Sequence, residues 1–527
     1  MQARRDRVVA APAVFLADGR IRPSRRTRRS PEKLGTRLDC TTEHHETDKF
    51  HTEQRRRIRI AASPEVLVVG GSPSGVAAAV ASARCGARVL LVEQAGFLGG
   101  QAIHVPTIGQ RAYFDSFGNQ IVFGLAWEII ERCRAAGGAE TSWADPRNFL
   151  WRGTWVDPEV LKAVLLDLCV ESGVNLLLDT TFSLPIVTGG ASVQGAVVEN
   201  KSGRQAIHAR VTIDATGDAD VAARAGAAFD SRGARGFPME MLFRMAGVDL
   251  GPICAYAEQH PEDVRVDPPG DARGLRRRIA EGASFALVGF RRLVARAVDA
   301  GDFALVPQPV RMDFVGWDPG VEIGFLWLGR DVVQIWSVRI HGRDGTRGED
   351  LSQAEVESRR RAHAVARVFR SYVPGFAHAY ILDTPGRVGV RETRRIVGDY
   401  TLTEEDVVAA KEFPDTIGLS AGHDEDTRIP CGHELPFRCL LPRGVENLLV
   451  IGRAISVEAP SALNAVRGIV TGAVTGQAAG VAAALAVRHR TNPRNVSAAS
   501  IREVLAGQGV LLRLPGRETA CRSRGDR

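Results

Sequence analysis

The sequence predicts an α/β protein: a doubly wound, Rossmann-like domain on a parallel sheet, with an α+β domain inserted into it. Three observations predict it. An apolar strand, Val66 to Val69, runs into a glycine-rich turn, a small-residue helix and a second apolar strand, Arg88 to Val92. Two more apolar strands that end in glycine turns follow much later, VTIDATGDADVAARAGA at 211–227 and NLLVIGRAIS at 447–456. Between them, alternating patterns at Val310 to Phe314 and Val332 to Ile340 and a helical pattern at 349–370 read as a separate α+β unit.

Each part of the first unit has a physical reason. The run Val66 to Val69 is continuous rather than alternating, as expected of a parallel strand covered on both faces. Gly70, Gly71, Ser72, Pro73, Ser74 and Gly75 then turn the chain. Gly70 allows the tight exit, backbone amides in the turn approach a pyrophosphate, and Gly75 lets helix and strand pack closely with the helix N-terminus toward the phosphates. Ser72 stands where the fingerprint has glycine, so a positive φ there would be costly, while its amide and hydroxyl stay available. The second strand ends on Glu93, about 20 residues past the turn, where a carboxylate accepts the ribose hydroxyls of an adenosine. The unit predicts a bound dinucleotide.

NAD and FAD proteins share that fingerprint, and the rest of the chain separates them. GFLGGQA at 96–102 lets backbone run beside a cofactor, and residues 461–485 read SALNAVRGIVTGAVTGQAAGVAAAL. These segments, in this order, resemble the FAD-dependent oxidoreductase family whose glutathione-reductase-like flavin domain also occurs in fumarate reductases and ketosteroid dehydrogenases. The likeness runs from about Pro64 to Leu512 and includes GVRETRRIVGDYTLTEEDV at 389–407, LPFRCLLPRGVENLLVIGR at 435–453 and SIREVLAGQGVLL at 500–512. It implies noncovalent FAD, with Gly70, Gly71, Ser72, Ser74, Gly75 and Glu93 on its ADP half and Gly99, Gly100 and Gln101 lining the flavin side. Thr216, Gly217 and Asp218 match the family's second signature, and Gly452 with Arg453 the place where the last strand meets the ribitol. Asn464 to Arg467 follow the family only loosely.

In the C-terminal helix, Gly468, Gly472, Gly476 and Gly480 recur every four residues and share one face, which presses backbone against the cofactor or the sheet. Its N-terminal dipole would stabilise negative charge on a reduced ring by about 0.3–1 kcal/mol, up to about 2 when partly buried. Residues 468–487 contain no charge, as in a membrane span, but their Gly, Ala and Thr content suits close packing in a soluble protein.

Length divides the 527 residues into two domains and tails: a basic disordered tail at 1–62, the FAD-binding domain at 63–235 and 435–490, a substrate or cap domain at 236–434, and a C-terminal helix and tail at 491–527. Residues 1–62 hold 16 Arg or Lys against 8 Asp or Glu, so they carry +8 of a total of +7 and leave the body near neutral. That balance argues against a nucleic-acid surface. Arg4, Arg5 and Arg7 precede an apolar run, Val8 to Ala17, yet Pro12 interrupts it and no small-residue cleavage site follows; an upstream misplaced start accounts for the segment equally well. The expected location is cytoplasmic, without membrane or nucleic-acid partners.

Eight cysteines, at 40, 85, 133, 169, 254, 431, 439 and 521, form no CxxC pair, and no metal site is expected. PIVTGGASVQG at 185–195 opens no helix with GxGxxG, so electrons come or go through substrate, a separate acceptor or donor, or oxygen. Arg391 and Arg395 are the candidates for substrate chemistry: if 388–397 is a strand they share a face, and guanidinium forks there clamp a carboxylate or developing charge. The competing reading is an ion-pair lattice between the two domains. His104 is the nominated acid or base, with His378, His433 and Tyr400 as alternatives. The resulting expectation is an FAD-dependent oxidoreductase that moves a hydride between a small organic substrate and flavin N5. Its rivals are a flavoprotein of tRNA-modifying type and a non-catalytic FAD-stabilised scaffold.

Overall fold

The structure, a computed structural model, describes residues 57–104, 109–110, 112–115, 118–141, 154–267, 272–304, 322–327, 331–422 and 432–514. Of the expected tail, residues 1–56 lie outside the described residues, as do Val310 to Phe314, Trp317 and three of the cysteines. The elements that position the site are β1 (Arg59–Ala62), β2 (Val66–Val69), α1 (Pro73–Arg84), β3 (Val89–Val92), α2 (Gln101–His104), β4 (Asn175–Leu177), β5 (Val211–Asp214), β6 (Met239–Glu240), β7 (Arg339–Ile340), β8 (Thr416–Ser420), β9 (His433–Pro436), β10 (Leu448–Val450), α3 (Ser461–Val466) and α4 (Ile469–His489).

The central sheet is parallel, in the order β10-β5-β2-β3-β4. Every residue of β2, β3 and β5 is buried, as the continuous apolar sequences of β2 and β3 require and despite Thr212 and Asp214 in β5. Alternation still assigns faces: Val66 and Val68 pack with α1 and α4, while Leu67 and Val69 pack with Val193, Val198 and Ile207 of a second sheet. That second sheet has four strands, β1 and residues 203–208, 192–200 and 181–188. Helices therefore cover one face of the parallel sheet and a sheet covers the other. β1 falls within the segment expected as tail; its four residues are mostly exposed and leave no apolar pattern in the sequence.

From β2 the chain adds β3 and β4 on one side and then returns to place β5 on the other. The switch point lies between β2 and β5, where an open α/β sheet takes its ligand beyond the carboxyl ends of the strands.

A separate core gathers residues between Met241 and Ala379 around a six-stranded antiparallel sheet. The helix Gly348–Tyr372 packs on it through Ala362, Val365 and Phe369. Trp327 fills this core, whereas Trp336 is half-buried. Leu402, Phe413, Ile417, Leu435 and Leu440 join the first core instead, because β8 and β9 pair with each other beside α4.

Helix α4 passes the length and hydropathy test for a membrane span, and it is buried inside the fold. Two of its glycines, Gly476 and Gly480, meet α1. A Cβ on Gly476 would stand 2.1 Å from the Ser74 carbonyl oxygen, and one on Gly480 would stand 2.3 Å from that of Ala78. Ser82 ties the helices by donating to the Gly480 carbonyl at 3.0 Å. Gly468 is the N-cap.

Candidate functional site

The carboxyl ends of β2, β3, β5 and β10 lie side by side, with Asp214 of β5 paired to Val69 and to Val450. Gly70 leaves β2 with φ 111°, and a Cβ there would stand 2.4 Å from the Ala215 carbonyl oxygen; one on Gly75 would stand 1.9 Å from that of Gly70. Only glycine fits either position. Ser72, in contrast, has φ −64° and ψ 169° and is the N-cap of α1, so the strain expected of a non-glycine there does not arise. Its Oγ accepts from the Gly75 amide at 3.5 Å and shares a hydrogen bond with Ser74 Oγ at 2.7 Å.

Glu93 is 6% exposed and holds the loop from across the sheet: Oε2 accepts from the Gly71 amide at 2.6 Å and Oε1 from the Ala95 amide at 2.8 Å. The Gly99 amide donates to the Gly71 carbonyl at 2.8 Å, and a Cβ on Gly100 would lie 3.0 Å from Ser72 Cβ. The second glycine segment is thus brought against the first, with half-buried Gln101 opening α2. His104 ends α2, and its side chain lies outside the described residues.

Beyond β5, Thr216 Oγ1 donates to the Asp214 carboxylate at 2.7 Å and accepts from the Asp220 amide at 3.0 Å. Burial pushes the Asp214 carboxyl up to about 6, against its hydrogen bonds from Thr216 and the Ala222 amide. Asp218 Oδ1 accepts from Arg453 and, at 2.6 Å, from Thr393 Oγ1. The Arg453 guanidinium lies over Gly217, where a Cβ would come within 3.2 Å of Nη1. Its buried Nε has no hydrogen-bond partner among the described residues. Gly452 leaves β10 with φ 73°, and its amide donates to Thr475 Oγ1 at 3.2 Å. A Cβ on Gly472 would lie 3.4 Å from Ser74 Cβ, so the turn after β2, the turn after β10 and the first turn of α4 converge. Glycine-lined backbone at the N-terminus of α1 fits a phosphate-bearing dinucleotide.

The two nominated arginines separate. The expected strand over 388–397 is reduced to Arg394–Ile396, paired with residues 229–231, so the shared face of Arg391 and Arg395 is lost. Arg395 is 1% exposed and donates to Glu392 at 2.8 Å and Asp230 at 2.6 Å. Glu392 also accepts from Arg232 and the Phe237 amide. These contacts form the lattice of the competing reading. Arg391 instead pairs through Nε and Nη2 with both oxygens of Glu240.

Among the alternative bases, Tyr400 donates to Asp406 at 2.6 Å and accepts from Lys411, while His378 is exposed. His433 is buried, and neither ring nitrogen has a hydrogen-bond partner among the described residues. Glu240 carries no signal in the sequence, because its role comes from a contact with Arg391, 151 residues away.

The family described as FAD dependent oxidoreductase matches residues 65–505. No curated protein matches the chain. Among solved structures, the chain is similar to a geranylgeranyl bacteriochlorophyll reductase-like protein from Thermoplasma acidophilum, at 13% identity over 85% of this chain and 84% of that one, with a TM-score of 0.41. It is also similar to the myxobacterial chondrochloren halogenase CndH, at 14% identity over 84% and 78% with a TM-score of 0.41. A third is the p-nitrophenol 4-monooxygenase PnpA from Pseudomonas putida, at 12% identity over 85% of each chain with a TM-score of 0.36.

Proposed function

Since the chain belongs to the FAD dependent oxidoreductase family, we propose that it oxidises or reduces a small organic substrate by hydride transfer at the flavin, with FAD held noncovalently and a separate electron donor or acceptor completing the cycle. The observation that carries the reading is the convergence of Gly70–Gly75, Glu93, Gly452–Arg453 and the first turn of α4 at the switch point of the parallel sheet.

FAD, when bound, supplies a hydride acceptor or donor at N5. The chain's own residues bind and orient. The Ser72 amide and the N-terminus of α1 would receive the pyrophosphate, with the Ser72 and Ser74 hydroxyls beside them. Glu93 would take the adenosine ribose with the carboxylate that also holds the Gly71 amide. Gly99, Gly100 and Gln101 would flank the flavin side, and Arg453, held by Asp218 over Gly217, would meet the ribitol. The first turn of α4 offers its unpaired amides and dipole to negative charge on the ring, a contribution of about 0.3–2 kcal/mol.

Anaerobic mixing of the flavin-loaded protein with candidate C–H donors, and of its reduced form with candidate acceptors, tests the proposal. Substrate-dependent bleaching or recovery of the flavin band supports it. A flavoprotein that exchanges electrons with no organic compound across a broad panel contradicts it.

A further inference from the structure

The residue segment 389–391 leads to a second feature that the cofactor reading does not use. Glu240 pairs with Arg339 across the β6–β7 ladder and exchanges two backbone hydrogen bonds with Gly389, at 3.0 and 2.7 Å. Directly paired residues share a sheet face, which places Glu240 and Arg339 on one side of this small sheet, with His341 just past the end of β7. Arg391 closes over the same carboxylate with Nε and Nη2. The pair is deep but not sealed: the Arg391 and Glu240 side chains are 12% and 16% exposed.

The α4 N-terminus meets the cluster through Arg467, which immediately precedes the N-cap Gly468. Arg467 donates to Asn464 Oδ1 at 2.8 Å, and its guanidinium lies 5.2 Å from the Phe237 ring centroid. Phe237, Asn464, Arg467, His341 and Arg391 are all half-buried, which marks an opening rather than a packed core. The loosely matching segment 464–467 therefore borders both the cofactor-facing helix and the second core's junction.

The field in this opening is positive. Burial pushes the Glu240 carboxyl up, and Arg391, Arg339 and Arg467 more than reverse it, so it lies below its ordinary value. Burial, with Arg339, Arg361 and Arg391 nearby, holds the His341 imidazole below its own. Arg391 spends Nε and Nη2 on Glu240, and its Nη1 makes no hydrogen bond among the described residues. A guanidinium oriented by one carboxylate and left with a free edge is arranged to receive a second anion.

We propose that the substrate carries a carboxylate, bound at this junction by the free edge of Arg391, with Glu240 as the residue that holds the guanidinium in place. This rests on the flavin oxidoreductase reading, since the reacting carbon would then lie toward the N-terminus of α4. Phe237 and Asn464 border the remainder of the substrate.

The test uses the full-length, FAD-loaded protein, whose flavin content is measured first, so that failure to bind FAD is separated from failure of the anion site. Acetate, benzoate and succinate are titrated against the oxidised flavin spectrum, with acetamide, benzamide and succinamide as uncharged counterparts. A saturable perturbation by at least one carboxylate, absent with its amide, is the expected result. Arg391→Met then weakens that carboxylate at least about tenfold with FAD content unchanged, and Arg391→Lys, which keeps the charge but not the fork, weakens it less. Should Arg391→Met fail to fold, Arg391→Lys carries the comparison. A flavin-loaded protein that no carboxylate perturbs, that responds equally to acid and amide, or whose affinity is unchanged in both variants, overturns the proposal.

Discussion

Gly476 and Ser74 bring two helices to backbone contact: a Cβ on the glycine would stand 2.1 Å from the serine carbonyl oxygen. Ser74 is the second residue of α1, directly after the turn that leaves β2, so the packing of α4 against α1 also sets the position of that turn. Gly476→Ala must push the helices apart, a cost of about 1–3 kcal/mol by the usual price of overpacking. The melting temperature should fall, and FAD should bind more weakly because the displaced atom lies in the pyrophosphate turn. Gly507→Ala is the control, since a Cβ there meets nothing within 4 Å. Equal melting temperatures for the two variants would show that the contact is not confining.

Glu93 joins two amides that its glutamine analogue cannot both satisfy. Glu93→Gln keeps one acceptor, places an NH2 against an N–H donor and removes the charge that the ribose hydroxyls would meet. FAD affinity, read by fluorescence quenching on titration of the apoprotein, should drop about 10- to 100-fold, the worth of one or two charge-assisted hydrogen bonds. Unchanged affinity would detach Glu93 from the cofactor.

Arg395 and Arg391 should fail in different ways. Removing Arg395 leaves Glu392, 1% exposed at its side chain, without its buried partner. Arg395→Met should cost about 3–5 kcal/mol of stability in urea denaturation. Arg391→Met should cost less, because its pair keeps a route to water, while raising the substrate concentration needed for flavin reduction at least about tenfold. If the two denaturation midpoints coincide, the division of labour between them is wrong.

His433 sets an acid limb. Burial pushes its imidazole down to about 4 from an ordinary 6.5, so the unfolded chain binds the proton that the folded one refuses. The stability it protects is complete above pH 6.5 and is lost as pH falls toward about 4, by roughly 3 kcal/mol in all at 1.36 kcal/mol per unit. Asp214, pushed up to about 6, titrates in the same window with the opposite sign, since its folded form binds the proton more tightly than the unfolded one. The readout is therefore the difference between the chain and His433→Phe, whose urea midpoint should decline less between pH 6.5 and 4.5. Parallel pH profiles would contradict a buried neutral imidazole.

Much of the candidate site's local geometry was legible because it rests on neighbouring residues. Gly70, Gly75 and Gly452 mark turns by their own residue type, and Glu93 follows from the length of one βαβ unit. The function of Ser72 was legible as a departure but not as a cap, since its φ depends on where the first helical turn begins. The glycine spacing of α4 told that one face needs close approach without naming α1 as the partner, nearly 400 residues away. The fates of Arg391 and Arg395 depend on Glu240 and Asp230, each over 150 residues distant, and no local pattern encodes that choice. β1 was silent because strand pairing at a sheet edge needs no apolar alternation.

The central claim is that this chain holds FAD in the crevice beyond β2 and β5. Its most direct test is the visible spectrum of the purified full-length protein, followed by denaturation and chromatography of what is released. The account predicts an oxidised-flavin spectrum and FAD in the supernatant, both lost in Gly75→Val. A folded protein that contains no flavin and takes up none on reconstitution would contradict it.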